Sequence, residues 1–195
     1  MNPAHTTGAH GAAVYYGDPG APHVLRVFLE LRDPGSRRMS EGLLDTFREG
    51  ADEGRFVVRF HFAASIDDIA GGSGSRRAVA ALGAASDAGQ GAFLEYLAAL
   101  LAAQPFPPGA EDRFADPAVL LDVAGGVDGL RSADFDRKVT EGTYVPWAGQ
   151  VVANFAEFGI LGTPVVRYDE EDLAVGGPDG TPVIGPAGFL RRIAA

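Results

Sequence analysis

The chain of 195 residues contains no cysteine. That absence removes disulfides, thiolate nucleophiles and every thiolate metal site together. Lysine is nearly missing too. Lys138 stands alone among sixteen basic side chains, a bias that, with abundant alanine and glycine, reads as high-GC codon usage. Positive charge is scarce overall: 26 acidic against 16 basic residues give a net charge of −10, which repels phosphate backbones and anionic lipid. Nucleic acid is therefore not expected as a partner. No run approaches the roughly 18 to 20 apolar residues that cross a bilayer, so no membrane span is expected. The opening MNPAHTTGAHGAA has no basic cluster followed by an apolar core, and the expectation is a chain that stays cytoplasmic.

Metal chemistry lacks its usual signals as well. His5, His10, His23 and His61 fall at no ligand spacing, and Asp67-Asp68 and the acidic run 169–172 supply too few oxygens for a hard cation. Both acidic stretches read as exposed turns, and His61, flanked by phenylalanines in a strand, reads as a hydrogen-bonded core histidine. Gly71-Gly72-Ser73-Gly74-Ser75 lacks the lysine of a phosphate loop and reads as a joint into helices, with Ser73 or Ser75 as cap.

What the chain does have is apolar content enough for a core, 46% of residues. Residues 1–13 show no periodicity and read as a flexible lead-in. Val24 to Leu29 is a short apolar run between turn-rich segments, the pattern of a buried central strand. From Pro34 to about Glu53, Met39, Leu43, Leu44 and Phe47 share one helical face. Phe56 to Phe62, rich in valine and phenylalanine, reads as a second strand. Strand, helix, strand in that order implies a right-handed parallel crossover. A helical block over 73–158 follows, with helices expected at 76–85, 93–103, 117–124, 132–141 and 145–158, and a break at 104–109. Then come an antiparallel pair, 165–168 with 173–175, and a last helix opened by Pro186.

This order of elements, with Gly162-Thr163-Pro164 before the hairpin, resembles an α/β thioredoxin-like fold with a DsbA-type helical insertion. The division expected is 14–72 with 159–195 for the thioredoxin-like part and 73–158 for the insert. The local sequence resembles the same family. Glu30-Leu31-Arg32-Asp33-Pro34-Gly35-Ser36 is similar to its acidic-aromatic-X-Cys-Pro-X-Cys segment, with Leu31 in place of the aromatic residue. Gly162-Thr163-Pro164 looks like its cis-proline loop. Under that resemblance, Asp33 stands at the position of the attacking cysteine and Ser36 at that of the resolving one. Neither a carboxylate nor a hydroxyl cycles between dithiol and disulfide, so the resemblance carries the fold across and leaves the dithiol reaction behind.

The residues of that corner have plain structural readings. Asp33 before Pro34 is a standard helix opening, with the carboxylate accepting from the first turn and Pro34 giving up no needed donor. Asp116-Pro117 repeats the device where no chemistry is expected. Arg32, Arg37 and Arg38 read as a solvated helix face, with an anion-binding role for Arg32 and Arg37 as the sharper alternative. The favoured function is a redox-inactive binding module. It would use the groove beside Thr163 and Pro164 for a peptide, a protein or a small thiol ligand, without a cofactor. The alternative is a glutathione-dependent transferase or isomerase-like enzyme of the same fold, with Ser36 or Thr163 orienting the external thiol. A third is an oligomeric component presenting Tyr144 or Trp147.

Overall fold

The computed structural model describes residues 1–104, 111–176 and 184–194. A six-stranded mixed sheet runs in the order β1-β2-β4-β3-β5-β6. Its strands are β1 (Thr6–Thr7), β2 (Ala13–Tyr16), β3 (Val24–Leu29), β4 (Val57–Phe62), β5 (Val165–Tyr168) and β6 (Glu171–Leu173). Among the described residues only β3 and β4 pair in parallel, with Leu25 opposite Val58 and Leu29 opposite Phe62, as a strand-helix-strand crossover requires. The crossover is α1 (Pro34–Asp52), which buries Met39, Leu43, Leu44 and Phe47, the stripe expected from their spacing. The last helix, α8 (Pro186–Ile193), sets Phe189 against Phe47 and Phe56.

Between β4 and β5 come α2 (Ser65–Ala70), α3 (Gly74–Ala88), α4 (Gln90–Ala103), α5 (Pro117–Ala124), α6 (Ala133–Glu141) and α7 (Val145–Ala156). The expected break at 104–109 lies, from 105 onward, outside the described residues. The hydrophobic core is continuous across the two expected parts. Leu25, Val27, Val58 and Phe60 of the sheet join Phe93, Leu97, Leu100 and Trp147 of the helices in one buried cluster. A second, smaller cluster forms on the opposite sheet face, where Phe28 and Ala63 meet Phe155.

Five expectations are corrected. Residues 1–13 are built into the fold, because small side chains let the segment lie close against the helices. Ala4 donates its N–H to Asp87 and accepts from Ser86, and the Gly11 carbonyl accepts from the Trp147 indole. Trp147 and Tyr144 are buried, so neither offers an oligomer surface. Asp67 is not an exposed turn residue. Its side chain is wholly buried at the start of α3, accepting from the Ser75 and Arg76 N–H groups. Asp112 accepts from those of Ser73 and Gly74. These two carboxylates satisfy the first donors of α3, while Ser73, at the cap position, makes no side-chain capping bond. Finally, His61 is buried as expected, but neither ring nitrogen has a hydrogen-bond partner among the described residues.

Candidate functional site

Asp33, the N-cap of α1, lies beyond the C-terminal end of β3. One carboxylate oxygen accepts from the Gly35 N–H at 3.1 Å. The other accepts from the Ser36 N–H and Ser36 Oγ, both at 2.8 Å, and from Thr163 Oγ1 at 3.0 Å. The Ser36 hydroxyl is fully buried and accepts in turn from the Glu30 N–H at 3.1 Å. The two positions where the family resemblance places its cysteines are thus joined by an O–H···O bond, and the same carboxylate ties the helix mouth to the 162–164 loop. All four donors converge on one side chain. That is the work of a structural clasp, and it leaves Ser36 no path to an external thiol.

The peptide bond between Thr163 and Pro164 is cis, and Pro164 packs directly over the start of α1. A Cβ added at Gly35 would meet Pro164 Cδ at 2.9 Å. This position in the Asp33-Pro34-Gly35-Ser36 segment therefore admits little beyond glycine. The geometry brings Asp33, Gly35, Ser36, Thr163 and Pro164 together, as the sequence resemblance implied.

The arginines behave otherwise. Arg32 is 1% exposed, and its Nη1 lies 3.0 Å from Asp67 Oδ1 and 3.1 Å from Asp112 Oδ1. It faces the interior and is consumed by two carboxylates, so the expectation of a solvated arginine available to an anion is corrected at this residue. Arg37 is half-buried and paired with Glu41 one turn along α1, at 2.8 Å. Glu30 is also buried, accepting from Ser65 Oγ at 2.6 Å, Ser75 Oγ at 2.5 Å and the Ile66 N–H. Glu30 and Arg32 thereby lock the exit of β3 onto α2 and α3, and Gln104 donates its side-chain N–H to the Leu31 and Asp33 carbonyls.

Beside this clasp lies an apolar groove of about 210 Å³, lined by Ala63, Val152, Phe155, Ile160, Leu161 and Thr163 among others. Leu161 on its rim and Ile69 on the neighbouring α2 are almost wholly exposed. No backbone hydrogen bond engages residues 161–163 among the described residues. Sequence reasoning located the loop but missed this wall. The available signal was Leu161, a large apolar residue inside a glycine-containing turn directly before Thr-Pro.

Replacing Asp33 with alanine is expected to destabilise the fold by about 2 kcal/mol, combining a lost helix cap with a buried hydroxyl left without its acceptor. Asp33→Asn, which keeps an acceptor oxygen, should recover part of that loss. Urea denaturation of both variants measures it.

Comparison with known proteins agrees with the fold. No curated protein matches the chain. Among solved structures, the disulfide bond oxidoreductase DsbG of Mycobacterium tuberculosis superposes with a TM-score of 0.73 at 21% identity, covering 95% of this chain and 87% of that one. The thiol-disulfide oxidoreductase MdbA of Corynebacterium diphtheriae gives 0.73 at 17%, covering 97% and 94%. DsbA of Chlamydia trachomatis gives 0.71 at 17%, covering 92% and 89%. The family model described as thioredoxin matches residues 9–177. The chain accordingly belongs to the thioredoxin family, with a DsbA-like fold and without cysteine.

Proposed function

We propose that the protein is a non-redox binding module that takes an extended apolar peptide segment into the groove beside Thr163 and Pro164. One observation carries this reading: backbone groups of residues 161–163, without backbone partners among the described residues, run along an apolar trough whose rim residue, Leu161, is exposed. An extended peptide satisfies such groups by strand-like pairing while its alternate side chains fill the trough. The clasp at Asp33 holds the loop in register with α1, so the surface is formed before a ligand arrives and little ordering cost opposes binding. The glutathione-linked alternative is not favoured at the two hydroxyls it names, since Ser36 is sealed and Thr163 Oγ1 donates to Asp33.

Fluorescence anisotropy of a labelled, cysteine-free peptide carrying alternating leucine or phenylalanine tests the proposal. Saturable binding is expected, and Leu161→Asp, which alters an exposed side chain and leaves the core intact, should weaken it at least tenfold. Equal affinity in wild type and Leu161→Asp, or the absence of saturable binding, would overturn it.

A further inference from the structure

On the sheet face bearing the smaller cluster, a row of residues crosses four strands. Tyr15 stands opposite Arg59, Arg59 opposite Arg26, and Arg26 opposite Arg167. Three arginines in direct cross-strand register repel one another, and such neighbours weaken a sheet. Arg167 is compensated by Asp172 at 2.6 Å, and Arg26 by Glu170 at 3.1 Å. Arg59 is not: it makes no ion pair among the described residues, and its buried Nε has no hydrogen-bond partner. Burial, and then the charge of Arg26, hold its pKa below the ordinary value.

His61, two residues along β4, projects from the same face. It is only 5% exposed, lies against Phe28 and Phe158, and has two unpartnered ring nitrogens. Arg26, Arg59, His61, Asn154 and Phe158 border a pocket of about 160 Å³ together with Thr7, Gly8, Ala9 and Ala13. Within a chain of net charge −10, this pocket concentrates donors and positive charge with no carboxylate among its described lining residues; Glu157, outside that lining, accepts from Asn154 Nδ2 at 3.1 Å, which leaves the amide its second N–H. It shares no lining residue with the groove beside Thr163.

We propose that this pocket binds a small-molecule oxyanion, a phosphate or carboxylate group held by Arg26, Arg59, the His61 imidazole and the Asn154 carboxamide. Guanidinium groups suit either oxyanion because their forked donors match its paired oxygens. The bound anion would also relieve the uncompensated repulsion in the arginine row. Phe158 gives any ring or chain attached to the oxyanion an apolar surface to lie on.

The test titrates inorganic phosphate and benzoate separately at low ionic strength, following the nitrogen-correlated imidazole signals of all four histidines and the melting temperature. Saturable movement of the His61 signals alone, with a raised melting temperature, supports the pocket. Saturation by phosphate only assigns it to a phosphoryl ligand, and by benzoate only to a carboxylate. Arg59→Gln should weaken binding at least tenfold; because it removes an unpaired charge from the row, the variant is expected to fold. Arg26→Gln provides a second variant with the same expectation. Overturning results are movement that never saturates, equal movement at His5, His10 and His23, or unchanged affinity in both arginine variants.

Discussion

Arg32→Ala is expected to destabilise the protein by about 3–5 kcal/mol, the usual cost of removing one partner from a buried ion pair. The size follows from what is left behind. Asp67, whose side chain is wholly buried, keeps its bonds to the Ser75 and Arg76 N–H groups and to the Arg76 guanidinium at 3.4 Å. It loses the closer cation. Asp112 loses the same cation while still capping α3. Two carboxylates at one helix start are then held together by N–H donors and a more distant arginine. Arg32→Lys keeps the charge and loses the planar fork, so it should recover only part of the stability. The double variant Arg32→Met with Asp67→Asn should cost less than the sum of its singles, because the surviving partner is no longer a stranded charge. Equilibrium urea unfolding decides this: the midpoint moves while the slope stays constant if the effect is on stability alone. A loss below about 1 kcal/mol for Arg32→Ala would show that water reaches Asp67 and Asp112.

That network also explains which parts of the molecule were legible in the sequence. The amphipathic stripe of α1 and the apolar runs of β3 and β4 are local patterns, and each forms where its pattern lies. Asp-Pro at residues 33–34 and 116–117 marks two helix starts correctly, since a cap needs only its own next turn. Helix α2 escaped because six residues containing Asp67 and Asp68 look like a turn until Glu30, brought from β3, accepts from Ser65 and Ile66. Arg32 and Asp67 escaped for the same reason. Each is an ordinary surface residue by composition, and their burial depends on a partner 35 positions away. The lead-in was misread because alanine and glycine carry no periodic signal, although their smallness is what lets the segment dock beneath Trp147. In the candidate site, the Asp33, Ser36 and Thr163-Pro164 corner followed from motif order. The bond from Thr163 Oγ1 to Asp33 and the apolar wall of the groove needed the fold.

Stability is expected to fall with acid through His61 before most carboxylates titrate. Burial first, and then the charges of Arg26, Arg59 and Arg167, lower the His61 pKa to about 3, against about 6.5 for an unfolded chain. Between these values the unfolded protein takes up a proton that the folded protein refuses, so stability decreases as pH falls, by about 1.4 kcal/mol per unit. Above about pH 6.5 the contribution is complete; from pH 7 to 4 it amounts to a loss of about 3 kcal/mol. The groups facing the imidazole support this sign. The three arginines come from β3, β4 and β5, while α7 and the segment after it present Asn154 and Phe158 without a charge. Carboxylates held low elsewhere add their own acid sensitivity; at Asp87, burial pushes the pKa up, but the bonds from Lys138, Tyr144 and the Ala4 N–H together outweigh it. They add it equally in a variant. The measurement is therefore a difference: unfolding free energies of wild type, His61→Phe and His61→Gln at about pH 7, 5.5 and 4, spanning the window between the two pKa values. Whatever constant offset each substitution brings through packing, both variants should gain about 3 kcal/mol on wild type between the first pH and the last. Parallel curves would mean that the imidazole accepts its proton in the folded state, and that solvent enters between Arg59 and Phe158 freely enough to screen the arginine row.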